Sequence, residues 1–183
     1  GGGSGGAGAA LQFSAAGSVV LNDIQNSITA KISDNSNVTV SGNLTLDARD
    51  NSKLFVLGGG ASAGGAAGAN GSVAGAAGAS VVINDVDNTI KANIDRSVVQ
   101  AAGTVDIKAK QTTEVFAVAI GFAATGAGSS SGAAAISLSG AGTVNKVNNT
   151  VEASVSSSSS VTTTAGGGVH LTAIDETTID AIS

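Results

Sequence analysis

The sequence predicts an all-β chain wound into a parallel β-helix, a single β-solenoid segment over residues 1–183. Three observations predict it. A self-similar pattern recurs with a period of about 61 residues, apolar and polar residues alternate with period two inside each copy, and the composition has too few bulky side chains for a thick core. The three repeats fall at approximately 1–61, 62–122 and 123–183.

The first repeated element reads Asn22-Asp23-Ile24-Gln25-Asn26-Ser27-Ile28-Thr29-Ala30-Lys31-Ile32. It returns from Asn84 to Ile94 and from Asn145 to Val155, with aliphatic or β-branched residues at matching places. Ile28, Ala30 and Ile32 share one side of an extended chain and Thr29 and Lys31 the other, which is the pattern of a half-buried strand. The same alternation makes Ile90, Ile94, Val151 and Val155 candidate core residues. Asn22, Asn84 and Asn145 recur at one place in the repeat, as do Asn26, Asn88 and Asn149. Stacked one above another, their amides are expected to form ladders along the axis and to satisfy the backbone of turns.

A second element runs Gly42-Asn43-Leu44-Thr45-Leu46-Asp47-Ala48 and matches Gly103 to Ala109. Its core candidates are Leu44, Leu46, Val105 and Ile107. The third copy, with Val169 and Leu171, sits about 64 residues on. Ser156 to Ser160 and Thr162 to Thr164 therefore read as a short insertion at a turn. Ser33 to Asn37, Ser41 to Asn43 and Arg49 to Ser52 carry turn chemistry as well. Strand spacing leaves the number of coils per repeat open between two and three, which implies an axial length of very roughly 30 to 45 Å.

The third element is a tract without charge. Residues 54–84 and 115–145 contain no Asp, Glu, Lys or Arg, and from Gly58 to Ser80 Gly and Ala make up 18 of 23 residues. Such a surface lets another sheet approach closely. Leu54 to Gly58 and Val115 to Phe122 are apolar on both sides, so both sides need cover, from the Gly/Ala half folding back or from a neighbouring chain. Phe55, Phe116 and Phe122 are the candidates for lateral packing.

Composition supports the thin core and narrows the chemistry. Of 183 residues 27 are Gly and 33 Ala, aromatics are 2%, and Pro, Cys, Met, Trp and Tyr are absent. Thiolate metal sites and cysteine nucleophiles are thereby excluded, and without Met the chain is expected to be a piece of a longer one. A net charge of −5 with 11% charged residues and scattered cations argues against nucleic acid as a partner. The apolar runs are too short for a spanning helix, so membrane insertion of this segment is not expected. His170 is the only histidine and reads as a solvated strand residue, so no catalytic residue is assigned. Asp85, Asp87 and Asp95 lack the calcium-binding nonapeptide pattern, which leaves fortuitous surface calcium as the only metal reading and no cofactor. The Gly-rich runs lack a following Gly-Lys-Ser/Thr, against a phosphate loop.

Ser80 to Ile94, with the Gly103 to Ala109 strand and the Gly/Ala tract, resembles the repeats of filamentous-haemagglutinin and leukotoxin-type adhesins. The likeness covers nearly the whole chain. It implies a right-handed β-helix on a bacterial cell surface or in the extracellular space, facing a host or neighbouring cell surface or matrix. The expected function is the non-enzymatic shaft of an adhesin or filament that self-associates end to end and laterally through Gly/Ala-rich faces. Two alternatives are an ice-binding solenoid, for which Thr29, Thr45, Thr89, Thr150 and Thr172 are unevenly placed, and a polysaccharide-acting β-helix, which lacks aromatic sugar platforms.

Overall fold

The computed structural model describes residues 5–183, and these form a parallel β-solenoid of three coils. Each 61-residue repeat is one coil, not two or three. A coil consists of two long strands and one short one. The first coil has β2 (Ala10–Ile32), β3 (Asn37–Val40) and β4 (Leu44–Gly68); the second has β5 (Ser72–Asp95), β6 (Val98–Ala101) and β7 (Val105–Gly128). The third has β8 (Ala133–Ser156), β9 (Ser160–Thr163) and β10 (Val169–Ile182), while β1 (Gly5–Gly6) lies beside Ala67–Gly68.

Strands of equal rank stack in parallel as β2-β5-β8, β3-β6-β9 and β1-β4-β7-β10. Register follows the sequence repeat residue by residue, with Ile28 beside Ile90 and Ile90 beside Val151. Strands of 23 to 25 residues extend roughly 75 to 80 Å at about 3.3 Å per residue. Three rows spaced about 4.8 Å apart rise only about 15 Å along the axis, well short of 30 to 45 Å. The molecule is a flat slab.

Corners fall where backbone with positive φ is tolerated. Asp34 and Asn35 (φ 65° and 60°), Arg96 (45°) and Ser157 and Ser158 (52° and 62°) turn each long strand into the short one. The extra residues of the third repeat sit at the two corners beside β9, while Ser160 to Thr163 is itself strand. Arg49 to Ser52 is not a turn. It lies inside β4, because inward Asp50 finds internal partners in Ser52 Oγ (2.6 Å) and Gln111 Nε2 (3.3 Å).

The interior changes character along the slab. Beside the short sheet, Leu46, Ile90, Ile94, Val99, Val105 and Ile107 form a dry aliphatic core against which Ile28, Ile32, Leu44 and Val151 pack. Val155, Val169 and Leu171 continue the same inward columns but are 36%, 40% and 47% exposed, since they belong to the outermost coil, which has a neighbour on one side only. Further along comes a polar layer around Asn84, Asn88, Gln111 and Thr113. Beyond it, small residues let the two long sheets touch backbone to backbone. A Cβ on Gly60 would lie 2.9 Å from the Ala79 carbonyl carbon and collide with its oxygen. This thin half, which on β4 runs from about Leu54 to the Asn70–Gly71 corner, is the wing; the thicker half is the body.

Candidate functional site

Period-two alternation sends even-numbered residues of β2 and β5 inward, and the asparagines go with them. Asn22 Nδ2 donates to Asn84 Oδ1 (2.7 Å), and Asn84 Nδ2 donates to Asn145 Oδ1 (2.6 Å). This ladder crosses all three coils in mid-strand, so it serves no turn. Asn26, Asn88 and Asn149 stack in register without an amide ladder. Instead Asn88 Oδ1 accepts from the Asn26 backbone N–H (3.1 Å), and Asn26 Nδ2 reaches across the bore to Ser52 Oγ (3.2 Å). Asn149 Nδ2 donates to Asp175 and Thr177 on β10, both at 3.2 Å.

Gln111 is the centre of this layer, and composition alone does not single it out. Fully buried, it donates through Nε2 to Thr113 Oγ1 (2.7 Å), Asp50 Oδ2 and Asn149 Oδ1 (both 3.3 Å). Its signal is its place in the repeat, since Asp50, Gln111 and Asp175 are register partners at an inward position that is polar in all three copies, as is the next one with Ser52, Thr113 and Thr177. Asn84→Ala is expected to cost about 1 to 3 kcal/mol, because it removes a fully buried amide with both its ladder bonds and leaves half-buried groups of Asn22 and Asn145 without those partners. Urea midpoints of this variant and of Asn22→Ala, half-buried at the outer coil, check it; the first shift should be the larger.

Charged residues sit mostly on the outer faces of the body, where five ion pairs join neighbouring coils. They are Lys53–Glu114 (2.8 Å), Lys91–Glu152 (3.4 Å), Lys110–Glu176, Lys146–Asp85 and Arg96–Asp34 (each 3.0 Å). All are solvated, so they select register more than they stabilise. A slip by one residue would break them.

Several carboxylates are held below their ordinary values. Hydrogen bonds from Ser33 and Arg96 act on Asp34, Arg49 on Asp47, Ser157 and Ser156 on Asp95, Ser154 and Lys91 on Glu152, and Lys110 on Glu176. A depressed folded pKa contributes stability above the unfolded value and loses it as pH falls through the folded one. The thermal midpoint should therefore be level at neutral pH and decline only below the ordinary 3.8 of Asp and 4.5 of Glu. The drop is expected to be shallow, and circular-dichroism melts against pH measure it.

His170 is exposed on β10, and Asp85 is engaged by Lys146 and Asp95 by Arg96. Among the described residues no three of His, Cys, Asp and Glu gather as a metal site requires. The two-sided apolar segment has a split fate. Val115, Ala117 and Ala119 are buried inside, covered by the facing sheet, while Phe116, Ile120 and Phe122 stand outward at 36%, 53% and 58% exposure. Phe55 and Phe116 stack between coils with centroids 5.3 Å apart and planes 6° off parallel. No protein-family model, curated protein or solved structure matches the chain.

Proposed function

We propose that this chain is a non-enzymatic structural segment, the shaft of an extracellular adhesin or surface filament displayed by a bacterial cell. The observation that carries the reading is unbroken register. Neighbouring first and second coils pair over 23 and 24 residues on the two long faces, and each coil repeats the outline of the last. A form that repeats by translation extends along one axis.

Its mechanism is mechanical. Backbone hydrogen bonds between coils run along the axis, and a whole row must fail together before two coils part. The edge strands β2 and β8 leave one row of backbone groups without a strand partner, which favours end-to-end addition. Asn22 and Asn84 both donate toward the third coil, so the ladder leaves the Asn22 carbonyl oxygen as acceptor at one edge and the Asn145 amide nitrogen as donor at the other. Addition is then head to tail.

Electron microscopy of the purified chain tests this. Fibres with strand rows about 4.8 Å apart and a rise of about 15 Å per three-coil copy are the expected result. Discrete particles without axial order, from protein whose circular dichroism shows folded strand, would overturn it.

A further inference from the structure

The wing differs from the body on both of its outer faces. Outward positions of the β2-β5-β8 sheet carry Leu11, Phe13, Leu21, Ile83, Ile136 and Leu138; those of the β4-β7 wing carry Phe55, Leu57, Ile120 and Phe122. Residues 1–22, 54–84 and 115–145 have no charge, and Asp180 stands at the rim beside Phe116. The interior between the two faces is already closed by Gly, Ala and Ser. Apart from the Phe55–Phe116 stack, these apolar side chains cover none of the interior.

The two faces also differ in relief. One presents raised rings and aliphatics, Phe55, Ile120 and Phe122. The other has shallow hollows floored by Ala15, Ala77 and Ala79 and walled by Phe13, Ile136 and Leu138. We propose that the wing is a homotypic lateral interface, in which the Phe55/Ile120/Phe122 face of one copy seats in the Phe13/Ile136/Leu138 hollows of the next.

Complementary relief on two uncharged faces of one molecule favours a second copy as the occupant. At about 3.3 Å per residue and 4.8 Å per row, some twelve residues over two and three rows give the faces roughly 400 and 550 Å². A stable pair hides about 800 Å² on each partner. The smaller face limits one contact to about 400 Å² on each partner, so the contact is a weak, concentration-dependent one that each copy makes twice, once on either side. The contact is heterologous and open-ended, so it makes stacks of slabs. The like net charge of −5, carried outside the wing apart from the rim Asp180, opposes stacking and weakens when salt screens it. Lipid is the poorer occupant, because hydrocarbon would also meet the edge-strand backbone, whose groups it cannot satisfy.

This deepens the filament reading and rests on it. The chain has no cysteine, so single ones report the contact cleanly. Ala61→Cys and Ala77→Cys mark the two outer faces. The expected result is little disulfide pairing within either variant, several-fold more in an equimolar mixture, and a ladder of higher species from the double variant, strengthened by salt and abolished by Ile120→Lys with Phe122→Lys. Equal pairing within single variants, or no ladder at any concentration, overturns the proposal. So does flotation of the wild-type chain as single copies on phosphatidylcholine vesicles. Both lysines replace exposed side chains; should that variant lose its strand signal, Phe122→Ser replaces it and should thin the ladder several-fold. In micrographs, single-width fibres of the lysine variant leave the shaft standing, bundles of it sink the lateral contact, and ladders without fibres sink the shaft alone.

Discussion

Ile90→Asp should unfold the middle of the solenoid, with a loss of at least about 4 kcal/mol. Ile90 is fully buried, flanked in register by Ile28 and Val151 and packed in the cluster of Ile94, Val105 and Ile107. No cation or donor lies in that cluster, so a carboxylate placed there loses hydration and gains no partner. Burial would raise the new carboxyl's pKa above its unfolded value, so the neutral form is favoured in the folded state and the deficit shrinks as pH falls. Thr29→Asp, on the exposed side of the same strands and in register with Lys91, should stay within about 0.5 kcal/mol of wild type. Urea unfolding at neutral and acid pH checks both. Equal shifts for the two variants would contradict the inward and outward assignment.

Much of this architecture was legible in the sequence. Repetition of Asn22 to Ile32 at Asn84 and Asn145 gives the stacking, because only residues one coil apart are forced to match, and the alternation around Ile28 and Leu46 gives the facing. What the repeat does not contain is the length of a coil. Gly58 to Ser80 reads as a flat surface that another sheet can approach closely, and it is one, but the length of its strands is not legible, since Gly and Ala carry little strand propensity of their own. Here they form strand because two sheets lie so close that larger side chains would not fit, a tertiary effect invisible in local preference. The asparagines read as ladder residues that also satisfy turn backbone, and Asn22, Asn84 and Asn145 ladder in mid-strand, away from any turn. Asn and Asp favour turns by hydrogen-bonding nearby backbone; inside this slab their amides and carboxylates find each other instead, as Asn84 finds Asn145 and Asp50 finds Gln111. The end-coil residues Val155, Val169 and Leu171 have core identity and surface exposure, a conflict that arises from stacking order and not from residue type.

Adjacent glycines give the second large effect. Gly60→Val should cost roughly 3 kcal/mol or more, whereas Gly59→Val should be neutral or stabilising by up to about 1 kcal/mol. The two differ only in which side of β4 they face. A Cβ on Gly60 meets the Ala79 peptide, with its nitrogen at 3.2 Å and carbonyl carbon at 2.9 Å, and a strand backbone paired on both sides cannot swing away as a flexible side chain would. Nothing lies within 4 Å of a Cβ on Gly59, where a β-branched residue suits extended backbone and removes freedom from the unfolded chain. Gly121, the register partner of Gly60, faces Gly140 in the same way, so Gly121→Val should also destabilise, though by less because β8 is an edge strand paired on one side only. Thermal and urea unfolding of the three variants measure the contrast. If Gly60→Val and Gly59→Val shifted the midpoint alike, backbone contact between the sheets would not be what closes the wing, and its outer faces would no longer be left over as surfaces for another molecule.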